Sequence, residues 1–107
     1  MPYVVTSVHD PAALAETCRR LGLDPPRQGS LRLGGRLAAG WVVRLPGLYA
    51  PVVCDTLRGL VAYHPRDNAH DRYARLMRFV ERCYEVRARL HRAETRRAGR
   101  KPAREVV

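Results

Sequence analysis

A chain of 107 residues, 46% apolar and 28% charged, has the size and make-up of one soluble domain, which excludes collagen-like, disulfide-framework and wholly disordered classes. Its longest uncharged run, residues 45–54, is 10 residues, about half of what a bilayer span requires. The first residues lack the basic head and apolar run of a secretory signal, so the sequence predicts a cytoplasmic protein. The outlying number is a net charge of +10, from 20 basic against 10 acidic residues, which points to an anionic partner without naming one.

Residues 2–8 (PYVVTSV) are β-branched and aromatic, and predict a strand. Asp10-Pro11 supplies an N-cap carboxylate with proline at the first helical position. Leu14, Cys18 and Leu21 then repeat at i, i+4, i+7, the apolar face of a short helix over 11–21 that Gly22 and Pro25-Pro26 close. The middle reads as β. Strands over 30–33 and 36–45 flank a Gly34-Gly35 hairpin turn, with Leu37, Ala39, Trp41, Val43 and Leu45 on one face. Pro46-Gly47 turns the chain into strands over 48–54 and 60–64, which completes an antiparallel meander. From about residue 69 the period becomes helical, with Asp67 or Asn68 as the N-cap. Tyr73, Leu76, Met77, Val80 and Tyr84 make one stripe, widened by Phe79, Cys83, Val86 and Leu90. The order β-α-β-β-β-β-α defines an α+β domain, an antiparallel sheet with both helices packed on one face and a basic C-terminal helical extension.

The charge is unevenly placed. Residues 1–85 hold 12 basic and 8 acidic side chains, an ordinary surface. Residues 86–107 hold Arg87, Arg89, Arg92, Arg96, Arg97, Arg100, Lys101 and Arg104 against Glu94 and Glu105. A coding bias toward GC accounts for Arg over Lys, but not for clustering at one end. No large apolar residue occurs between His91 and Arg104, so residues 1–91 read as the domain and 92–107 as a frayed or disordered basic tail, which Gly99 and Pro102 end as a helix. The eight basic side chains are the candidate contacts to an anion or nucleic acid.

Signals for catalysis are weak. Cys18, Cys54 and Cys83 are widely spaced without a C-x-x-C, and each falls on an apolar face as a small hydrophobe. The densest polar cluster, His64, Asp67, His70 and Asp71, lies at a strand-to-helix junction and could hold a metal or serve acid-base chemistry, but it also satisfies the rules for a helix start. Neither G-x-G-x-x-G nor a P-loop is present. The expectation is therefore no catalytic residue, no metal and no cofactor.

Several segments together resemble the hypothetical chloroplast reading-frame thirty-five family, a domain of unknown function found in plastids, cyanobacteria and other bacteria. They are YVVTSVHDPAAL at 3–14, CRRLGL at 18–23, LPG at 45–47, PVVCDT at 51–56 with Gly59, and RFVERCYEV at 78–86. The resemblance is a distributed pattern over about residues 3–95. It implies the α+β fold and a cytoplasmic or plastid-stromal location, and it carries no activity and no catalytic residues. Two departures stand out. Relatives end in a hairpin with a D-G-type turn and an apolar last strand, for which residues 96–107 are too short; and residues 64–70 differ from an expected aromatic, glycine-rich stretch. A missing hairpin implies a smaller sheet or an edge left open for a partner.

The leading expectation is a non-enzymatic protein–protein interaction or accessory module working through an open sheet edge or the C-terminal helix. The alternative is a nucleic-acid-binding accessory protein using the Arg-rich arm, and an enzyme built on His64, Asp67 and His70 comes third.

Overall fold

The computed structural model describes the backbone of residues 3–106 and the side chains of residues 3–96. Five strands, β1 (Tyr3–Val5), β2 (Arg27–Leu33), β3 (Arg36–Val43), β4 (Val52–Asp55) and β5 (Leu60–Ala62), form one antiparallel sheet in the order β1-β5-β4-β3-β2. Helix α1 (Pro11–Arg20) follows β1, and a 3-10 turn (Pro65–Asn68) leads into the long helix α2 (His70–Val106). The fold is α+β.

Local chemistry explains most of the elements. The Ala12 N–H donates to Asp10 Oδ1 at 2.9 Å, which caps α1 as its sequence predicts. The helix stops at Gly22 (φ +69°), where a side chain would be strained. Its buried face is Ala13, Leu14, Thr17 and Cys18, whereas Leu21 falls at the C-cap outside that face and is 41% exposed. Gly34 and Gly35 both have positive φ, and Leu33 pairs with Arg36, as a two-residue primed hairpin turn requires.

One core lies between the sheet and both helices. Leu14 and Cys18 of α1 meet Leu76, Phe79, Val80 and Cys83 of α2 over Val43, Val52, Cys54 and Val61 of the sheet. The buried stripe of α2 is Leu76, Phe79, Val80, Cys83 and Val86; Tyr84 of the expected central stripe is 37% exposed, and its hydroxyl instead accepts from the Ser7 N–H at 2.9 Å. A second, smaller core lies on the opposite sheet face: Leu33 and Ala38 pack with Val53 and Ala62. Strand alternation puts Leu33 and Ala38 of the β2–β3 hairpin on that face with Val42 and Val53. Gly29 and Gly40 are cross-strand partners, and a Cβ on Gly40 would stand 2.5 Å from the Cys54 carbonyl oxygen. At the hairpin tip, Gly34 lies against the Pro65 ring.

Several boundaries differ from those read in the sequence. The first strand ends at Val5 because Thr6 turns toward the β4–β5 loop, its N–H and hydroxyl both donating to the Gly59 carbonyl. Strand β2 begins at Arg27, three residues before the predicted 30, because it pairs with β3 over its whole length. Leu37 and Ala39 share the Trp41 face but are exposed, since β3 pairs with β4 only over Trp41–Val43 and the hairpin runs past the end of β4. Residues 44–51 form a loop rather than the end of one strand and the start of the next. Helix α2 runs on to Val106, past Gly99 and Pro102; residues 91–98 are mostly good helix formers and carry the helix beyond the apolar pattern.

Candidate functional site

The predicted polar cluster is drawn apart by its own hydrogen bonds. Asp67 does not cap α2. It is fully buried, and its carboxylate reaches back to the 44–51 loop, accepting from the Tyr49 N–H at 2.6 Å and the Ala50 N–H at 3.2 Å. A carboxylate holding two backbone donors satisfies groups that a loop over the core would otherwise bury unpaired. His64 caps the 3-10 turn, its Nδ1 accepting from the Arg66 N–H at 3.1 Å. Asn68 is exposed and accepts from the Tyr63 hydroxyl at 3.2 Å. His70 and Asp71 are exposed in the first turn of α2. The start of α2 is instead marked by Ala69, whose carbonyl accepts from the Tyr73 N–H at 2.8 Å. Among the described residues, no group of three His, Cys, Asp or Glu side chains is arranged to hold a metal ion.

The three cysteines, far apart in sequence, converge in the main core with 2% exposure or less. Burial pushes all three thiols up. Cys83 rises to about 11, with a hydrogen bond from Thr17 acting the other way, and Cys54 is raised further by its neighbours Cys83 and Cys18. Thiols of this kind are poor nucleophiles at neutral pH.

The surface next to β1 has a different character. Among the described residues, nothing pairs with the outer edge of β1, and Tyr3 and Val5 are 54% and 76% exposed. Beside that edge lies a cleft of about 860 Å³, lined chiefly by Tyr3, Leu37, Ala38, Val53, Leu57 and Leu60. Its polar rim includes Arg58, which pairs with Asp55 at 3.8 Å. The β2–β3 hairpin forms one wall, and the β4–β5 loop forms the other by thrusting Leu57 out at 93% exposure. That wall is positioned by His9, which contacts the Thr56 carbonyl through Nδ1 at 2.9 Å. The other free edge, β2, is blunted by Arg27, Gln28, Ser30 and Arg32, all exposed.

These cleft residues are absent from the sequence-level candidates. The available signal was an apolar Leu57 inside the turn D-T-L-R-G, where a polar residue is the ordinary choice. Of the predicted anion contacts, Arg87, Arg89, Arg92 and Arg96 are exposed along α2; Arg97, Arg100, Lys101 and Arg104 lie beyond the described side chains. Among the described residues, no helix is long and apolar enough to cross a membrane. No protein-family model, curated protein or solved structure matches the chain.

Proposed function

We propose that this chain is a non-enzymatic interaction domain whose protein partner lays an extended segment along β1. The observation that supports it is an open, apolar edge strand next to an apolar cleft. A strand added to β1 continues the ladder through its main chain, and every second side chain then points to the Tyr3 and Val5 face, toward the cleft. We take membership of the family that residues 3–95 resemble as part of this reading. Three free buried thiols accord with a reducing cytoplasmic or stromal compartment. A non-enzymatic role is supported by Asp67 and His64, which are engaged in holding the loop and the turn.

The test is affinity purification from host lysate after nuclease treatment, comparing the wild type with the double variant Leu37→Asp, Leu57→Asp. Both side chains are exposed, so the fold tolerates the change. The expected outcome is a protein recovered by the wild type and lost from the variant. Recovery of the same protein by both, or of none by a wild type that sediments as a monomer, overturns the reading.

A further inference from the structure

Helix α2 carries a second surface, with a geometry of its own. R-x2-R-x3-R at Arg75, Arg78 and Arg82 recurs fourteen residues on at Arg89, Arg92 and Arg96. At 100° per residue, these six positions fall within an arc of about 100°, and they span about 32 Å of helix axis. All six are exposed. Arg82 pairs with Glu85 at 3.3 Å; among the described residues the other five make no ion pair. Arg20 of α1, paired with Glu16 at 3.0 Å, lines the same small groove as Arg82, Glu85 and Arg89.

Solvent exposure alone does not produce this alignment. Over its first half, α2 packs on the sheet, and Arg75, Arg78 and Arg82 lie exposed on its free side, whereas the half-buried Arg72 donates to the Arg66 carbonyl. Beyond Leu90 no large apolar residue ties the helix to the domain, yet Arg92 and Arg96 keep the register set by Arg75, Arg78 and Arg82. We propose that the stripe from Arg75 to Arg96 binds the phosphodiester backbone of a nucleic acid, running from the folded domain out along the extended helix. The occupant follows from what the surface lacks. A membrane-bound helix needs an apolar face to insert, and a protein interface needs an apolar centre. Past Leu90 the helix has neither, and phosphate binding requires neither. Arginine forks match phosphate oxygens bidentately, and about 32 Å covers roughly nine base-pair steps at 3.4 Å each.

The stripe differs from a merely basic tail in that position matters as well as charge. Two triple variants of equal net charge separate the cases: Arg78→Gln, Arg89→Gln, Arg96→Gln on the stripe, and Arg27→Gln, Arg32→Gln, Arg36→Gln off it. Each is titrated against fluorescent random-sequence 20-bp DNA and RNA duplexes at several salt concentrations, with circular dichroism to confirm unchanged helix content. For the wild type, log K against log salt on the DNA duplex should fall with a slope of about −5. The stripe triple should lose about three from that slope and at least tenfold in affinity, with the off-stripe triple within about twofold of wild type. Binding of either duplex with this dependence supports the proposal. Equal losses in the two triples, binding indifferent to salt, or tighter binding to phosphatidylserine vesicles than to either duplex would overturn it.

Discussion

Asp67 illustrates how one buried side chain organises a whole loop. Its two carboxylate oxygens hold consecutive N–H groups of residues 49 and 50, which fixes the loop from 44 to 51 against the entry to α2. Outside that loop, Arg66 sits over the Tyr49 ring at 4.9 Å and His64 packs beside it at 4.6 Å, so the three side chains cover the join. Replacing Asp67 with Ala leaves two donors without their acceptors, and should cost about 2–3 kcal/mol, read as a lower urea midpoint at unchanged m-value. Asp67→Asn keeps an acceptor oxygen for one donor and should recover part of the loss. Loss of catalysis or metal binding is not the expected phenotype. The sequence offers Asp67 or Asn68 as the helix cap because a cap is read from residues beside the helix start; the real partners of Asp67 are 17 and 18 residues away.

Among the elements, the β2–β3 hairpin decides most about the candidate site. Its turn is encoded locally, since two adjacent glycines suit the primed geometry and little else. Its contact with β4 is not. Gly40 has φ +153° and stands against the β4 backbone, whereas its cross-strand partner Gly29 has only ordinary contact, 3.9 Å from Val42 Cγ2 to an added Cβ. Gly40→Ala should therefore destabilise the protein by about 1–3 kcal/mol. Gly29→Ala should be neutral or stabilising, by up to about 1 kcal/mol. Urea unfolding of the two variants checks the pair, and equal effects would mean that the contact of Gly40 with β4 does not require a glycine. Pairing also explains why Leu37 is exposed. Strand alternation assigned it correctly to the Trp41 face, but β3 pairs with β4 only over Trp41–Val43, and Leu37 lies past the end of β4. Helix α2 was similarly legible in kind and wrong in rotation: its apolar arc is wide, and only contact with α1 and the sheet selected Phe79, Cys83 and Val86 over Tyr84 for the buried centre.

At the scale of the molecule, extents of 61 × 24 × 22 Å describe a small domain with a long helix projecting from it. The domain is closed by one core in which α1, β4 and α2 each contribute a cysteine, and this makes stability depend on pH in the alkaline range. The folded-state thiols lie above the ordinary value of 9, with Cys83 at about 11, while the unfolded chain titrates near 9. Stability from this source is full below pH 9 and falls as pH rises from 9 toward 11, because only the unfolded state then releases the proton. Urea midpoints measured from pH 8 to 11 should decline, and Cys83→Ala, although less stable at pH 8, should show a shallower decline. An unchanged slope in that variant would remove Cys83 from the explanation. The same projection of α2 separates two surfaces: the β1 cleft belongs to the sheet, and the arginine stripe runs along the helix away from it.

Sequence by itself determined the α+β class, the cap and stop of α1, the hairpin turn and the long final helix, because each rests on residues within a turn or two of one another. It also located the excess positive charge at the C-terminal end. Only the tertiary structure decided that Asp67 holds a loop rather than a helix end, that three cysteines share one core, and that Tyr3, Leu37 and Leu57 border one cleft. Those arrangements depend on contacts between distant segments. They come from the limited pairing of β3 with β4 and from the packing of α1 and α2 on the sheet, for which neither hydrophobic period nor turn chemistry carries a signal.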